Sequence, residues 1–231
     1  MKQHCFLLLL IVVPFFYYSC DDALENNRRI EFKGRLVDSQ NLPIPDIEVE
    51  SAVDAKLGFD VTDANGEFNF VSLDIRYGKL KLLVNTHDDQ ESKYGSYTFI
   101  NTKNSEQRND YYIYDVGEIE VAEVAHLDLE IKNISATTDT LRWFLTYPPV
   151  DCEISSDANF NDISSLINTC SLNTQYSLSG RETTVDAVDE RSVKTAKNKT
   201  AIFSYSFNSD GTTEEITIPL NAFENQFSFE Y

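Results

Sequence analysis

From Ile30 to Tyr231 the chain alternates apolar and polar residues at period two, with turn residues between the runs. Successive side chains of a strand point to opposite faces, so this pattern makes half-buried strands, and helical periodicity is nearly absent. Ile30, Phe32 and Leu36 face one way while Glu31, Lys33 and Arg35 face the other. Ile47 and Val49, Phe59 and Val61, Phe68 and Phe70, and Leu80, Leu82 and Val84 continue the theme, with a last strand of this half over residues 111–121. Such short strands in quick succession predict an antiparallel sandwich over 29–121. The second half alternates at Leu127, Leu129 and Ile131, at Leu141, Trp143, Leu145 and Tyr147, and at Ala201, Phe203, Tyr205 and Phe207. Asp210-Gly211 is a hairpin signal before Ile216, Ile218 and Leu220, and Phe227, Phe229 and Tyr231 close the chain. The expected fold is all-β: two consecutive antiparallel β-sandwich domains, the second over 122–231 with 157–174 as a long loop.

The N-terminus has a basic start at Lys2 and an apolar run from Phe6 to Tyr18 that is too short to span a bilayer as a mature helix. Ser19 and Cys20 follow, and the arrangement resembles the lipobox of bacterial lipoproteins, with Tyr17 standing where that family prefers Leu. The resemblance implies a signal peptide over 1–19, lipidation of Cys20 and a tether over 20–28. An ordinary secretory signal cut elsewhere is the alternative, and either one exports the chain. Asp21-Asp22 resembles the surface-export signal of Bacteroidota lipoproteins, whereas in other Gram-negative bacteria an Asp beside the lipidated cysteine goes with inner-membrane retention. The expected location is the outer membrane or cell surface, lipid-anchored, with a periplasm-facing placement as the alternative.

A formal charge of −19 repels nucleic acid and anionic head groups, so membrane attachment must come from the lipid. Cys5 lies in the leader and Cys20 is the lipid site, which leaves Cys152 and Cys170 as one disulfide in an exported protein. The loop it closes is worth roughly 3 kcal/mol. Beyond the leader the histidines are His87 and His126, neither at ligand spacing from a cysteine, so no metal or other cofactor is expected.

Three segments carry a second resemblance: Gly34-Arg35-Leu36-Val37-Asp38, the Pro-containing Leu42-Pro43-Ile44-Pro45-Asp46-Ile47-Glu48-Val49, and Thr62-Asp63-Ala64-Asn65-Gly66-Glu67-Phe68. Together they resemble the carboxypeptidase regulatory-like domain, a transthyretin-like sandwich, over about residues 29–121. That resemblance implies an accessory module without the zinc peptidase. Asn65-Gly66 suits a tight turn that needs positive φ. Asp60, Asp63, Asn65 and Glu67 offer hard oxygen ligands for calcium as the alternative, without the spacing of an EF-hand. The insertion over 101–110 departs from the family pattern and reads as a mobile loop.

No nucleophile elbow, zinc helix or phosphate loop is present, so no catalytic residues and no enzyme are expected. Tyr94, Tyr97, Tyr111 and Tyr112 surround the 101–110 insertion and are the candidate binding residues. The expected function is a non-enzymatic, lipid-anchored cell-envelope protein whose sandwiches bind an envelope protein or a glycan. The alternatives are an accessory subunit of an outer-membrane transport or secretion complex, and a hydrolase with an unrecognised site in the C-terminal domain.

Overall fold

The computed structural model describes residues 24–76, 78–87, 92–108, 112–135, 139–166, 175–183, 188–208 and 212–231. The leader, Cys20, Tyr111, Cys170 and Asp210-Gly211 lie outside the described residues. The fold is all-β sandwich.

In the first half, β1 (Leu24–Val37), β4 (Glu67–Ile75) and β7 (Ile113–Glu120) make one sheet in the order β4-β1-β7. The facing sheet runs β6-β5-β2-β3, built from β2 (Glu48–Ala52), β3 (Lys56–Val61), β5 (Leu80–Val84) and β6 (Tyr97–Asn101). The period-two runs place Phe32, Leu36, Val49, Phe68, Leu82, Phe99 and Tyr114 in the core between them.

The second half contains β8 (Val124–Lys132), β9 (Leu141–Tyr147), β10 (Cys152–Ser156), β11 (Tyr176–Glu182), β12 (Val188–Ala196), β13 (Lys199–Phe207), β14 (Glu214–Leu220) and β15 (Glu224–Glu230). Its sheets are β12-β8-β15 and β14-β13-β9-β11, closed on Leu127, Leu129, Trp143, Leu145 and Phe203. With β10 set aside, the strand order is that of the first half. In each half the first strand lies between the fourth and the seventh, and the sixth, fifth, second and third follow one another in the other sheet. Each half also pairs its first and last strands in parallel, β1 with β7 and β8 with β15, although most other pairs are antiparallel. The chain is thus one sandwich topology used twice.

β10 breaks the symmetry. Residues 122–231 were expected to form the second sandwich, yet β10 leaves it and pairs in parallel with β6, from Cys152 against Tyr97 to Ser156 against Asn101. The stretch read from sequence as a long loop then inserts Phe160 and Ile163, both 0% exposed, into the first core. Burial of Phe160 explains the detour, since its ring packs 5.0 Å from Phe32 and Tyr114 and 5.3 Å from Phe99. β10 also covers the edge of β6, which would otherwise expose unpaired backbone.

The joint between the sandwiches is tied by side chains. Glu123 receives Lys93 Nζ at 3.0 Å from the first half and Lys197 Nζ at 2.8 Å from the second. Asp151 Oδ1 accepts from the amide of Ser96 at 2.8 Å and from its hydroxyl at 2.9 Å, with Lys194 Nζ at 3.4 Å. Val124, Val150 and Ala196 fill the space between these groups.

Candidate functional site

The tyrosines expected to form a binding face are dispersed. Tyr97 opens β6 pointing inward and is 2% exposed, a core residue whose phenol burial pushes up to about 12. Tyr94 is half-buried at the joint, bridging to Glu123, while Tyr112 is 62% exposed just before β7, under the Arg28 guanidinium. β7 separates those two ends by about 25 Å at strand rise, and Tyr111 lies outside the described residues.

The 101–110 insertion differs from the expected mobile loop in its described part. Asn101 ends β6 and is buried, and a single helical turn, α1 (Ser105–Arg108), follows. Arg108 reaches inward, donating to Asp74 Oδ1 and to the Ile75 carbonyl, each at 2.7 Å, and to the Lys103 carbonyl. Arg28 Nε adds an ion pair to the other Asp74 oxygen at 3.1 Å. Asp74 is 0% exposed, so the guanidinium groups compensate a charge that burial alone would not tolerate. A polar loop in sequence is thus a plug for a buried carboxylate.

Gly66 has φ +74°, and a Cβ there would collide with the Leu36 carbonyl oxygen. Asp63 Oδ1 accepts from the amides of Asn65 at 2.8 Å and Glu67 at 2.9 Å, and these bonds hold its carboxyl below the usual range. That carboxylate closes the turn without any ligand.

Among the described residues, one group gathers a histidine with acids: Glu48, Glu50 and His87 on the outer face of the β2 sheet. Lys56 Nζ lies 2.5 Å from Glu48 and 2.8 Å from Glu50, and His87 Nε2 lies 3.0 Å from Glu50. Burial pushes the Glu50 carboxyl up, but hydrogen bonds from Lys56 and His87 outweigh it and hold the group below its ordinary value. The ammonium thus stands where a cation would, and sequence reading missed the cluster because Lys56 and His87 meet only through strand pairing and a loop. His126 lies in the other sandwich, its ring 5.0 Å from Phe223.

Among the described residues, two shallow concavities lie away from these groups. One of about 690 Å³ on the β1 sheet is crossed by the Lys33–Asp115 and Arg35–Glu118 ion pairs. The other, about 720 Å³ on the β8 sheet, is lined by Asp128, Glu130, Glu190 and Gln226.

The outer face of the β14-β13-β9-β11 sheet differs from both. Phe144 is 53% exposed near its centre, level with Ser179 on β11 and Ser204 on β13. The next level is Ser177, Thr146, Ile202 and Thr217. The alternation that buries Trp143 and Leu145 necessarily turns Phe144 outward, among these hydroxyls, with Glu215 at the end of its own row and Arg142 and Arg181 in the row on its other side.

No family model matches the chain, and no curated protein matches it. Among solved structures, a 9R-lipoxygenase from Cyanothece aligns over 48% of this chain and 20% of its own, at 20% identity and TM-score 0.28. The Bacillus anthracis TIE protein aligns over 89% of this chain and 34% of its own, at 12% identity and TM-score 0.31. A putative cell adhesion protein from Bacteroides ovatus aligns over 89% of this chain and 94% of its own, at 10% identity and TM-score 0.26. The chain spans well under half of the first two proteins, and likenesses this distant leave function to be argued from the residues themselves.

Proposed function

We propose that the chain is an exported, non-enzymatic cell-surface protein, lipid-anchored at Cys20, which holds two sandwiches as one unit and binds an uncharged glycan on the outer face of β9. The observation that carries the reading is Phe144, an exposed aromatic ring at the centre of a rigid sheet face whose flanking positions are Ser179 and Ser204. A ring of this kind stacks on the apolar face of a sugar, and hydroxyls on either side exchange hydrogen bonds with the sugar's own. The leader ending at Ser19, directly before Cys20, supports the anchor, and Cys152 and Cys170, the cysteines left in an exported chain, support one disulfide. The Glu48–Glu50–His87 group supports a structural role, since Lys56 Nζ bridges both carboxylates in ion pairs across the sheet face.

The test is calorimetric titration of purified protein with neutral oligosaccharides prepared from envelope polysaccharide, beside Phe144→Ser. The variant should keep the parent's melting temperature, because the ring is outside the core, and should lose the binding. Equal affinity of parent and variant, or binding only to charged or protein ligands, would contradict the glycan reading.

A further inference from the structure

We propose that the protein is built to resist tension along the line from its N-terminal attachment to its second sandwich, with parallel strand pairs acting as shear clamps. The proposal rests on the anchor and on a ligand held by the second sandwich.

Tension from an N-terminal attachment enters at the start of β1, and it passes to the second sandwich from the end of β7 through residues 121–123. β1 and β7 are parallel, with Glu31 beside Ile113 and Val37 beside Glu120. The two loaded ends therefore lie at opposite ends of the pair. The strands are pulled along their axes in opposite senses, so the hydrogen bonds on both sides of the register shift between Lys33 and Arg35 are strained together rather than one after another. β1 is also the middle strand, held on its other edge by β4 from Arg29–Leu73 to Arg35–Glu67, and that ladder must slide too.

The second sandwich repeats the device. β8 receives the chain at Val124 and pairs in parallel with β15, from His126 beside Glu224 to Lys132 beside Glu230. Pulling β8 by its start and β15 by its end again gives shear.

The joint does not depend on residues 121–123 alone. β10, continuous with the second sandwich through Val150, lies along β6 and is followed by Phe160 and Ile163 in the first core. Separating the sandwiches requires drawing this strand lengthwise off β6 in addition to straightening the linker. Glu123, gripped by Lys93 and Lys197, holds the same place.

Direction of pulling supplies the test, on unaltered sheets. Single molecules of the mature chain are stretched between its two termini, and in a second preparation between the N-terminus and a handle at the exposed residue 112. Position 112 lies at the same end of the pair as the start of β1, because the Glu31 amide donates to the Tyr112 carbonyl at 2.8 Å. That geometry peels β7 from β1 one bond at a time. At equal loading rate the first sandwich should rupture at clearly higher force in the end-to-end geometry. Equal forces, or a higher force from residue 112, would overturn the clamp. The anchor and glycan readings would be untouched, since rupture force belongs to the folded chain whatever it is attached to.

Discussion

Arg108 donates to Asp74 across 2.7 Å with side chains 1% and 0% exposed, so the helical turn of the insertion is bonded to the floor of the first sandwich. Removing one partner of a buried pair leaves an uncompensated charge. Arg108→Ala is therefore expected to destabilise the first sandwich by about 3–5 kcal/mol in denaturant unfolding. Deleting 101–110 should do at least as much harm. Unchanged stability in both variants would show that Asp74 is satisfied by Arg28 alone.

Phe160 is encoded in the second half and packed in the first. Phe160→Ala should cost about 3–5 kcal/mol, as for other buried aromatic truncations. Hydrogen exchange locates the damage. Amides of β6 and β10 should lose protection while β9 and β13 keep theirs, and loss confined to the second sandwich would contradict the packing.

Gly66 occupies a backbone conformation that a β-branched residue resists, and it faces the Leu36 carbonyl. Gly66→Val should destabilise by about 1–3 kcal/mol. If calcium addition raised the melting temperature and Asp63→Ala abolished the rise, the loop would be a metal site rather than a turn closed by its own carboxylate.

Glu123 is held below its ordinary value of 4.5, first by the hydrogen bond from Lys197 and then by that from Lys93. A depressed carboxylate stabilises the fold at pH above its unfolded value and loses that contribution as pH falls through the folded one. Glu123→Gln should therefore lower the melting temperature at pH 7, and the gap to the parent should close as the pH drops below 4.5. A gap of constant size from pH 7 to pH 3 would mean that the charge does not hold the joint.

The interior strands were legible because each buries one face. Phe68 and Phe70 on β4, or Trp143 and Leu145 on β9, write period two directly into the sequence. β10, β11 and β12 were missed because they are edges. Glu153 and Ser155, Ser177 and Ser179, and Glu190 and Ser192 face solvent, so little apolar alternation marks them. The repeated topology leaves no trace because it resides in hydrogen-bond partners rather than residue types. Tyr97 was misjudged although its own strand holds the signal: Phe99 shares its parity and both point inward. Phe144 carries no cluster signal of its own, yet the alternation that buries Trp143 and Leu145 already turns it outward.

The most direct measurement of the central claim, a tethered surface protein, is the mass of the N-terminal peptide from native membranes, read beside fractionation of a Cys20→Ala variant. The expected result is a chain that begins at Cys20 with acyl chains attached, and a variant that leaves the membrane fraction. An unmodified Cys20, together with a variant as firmly membrane-bound as the parent, would contradict the claim.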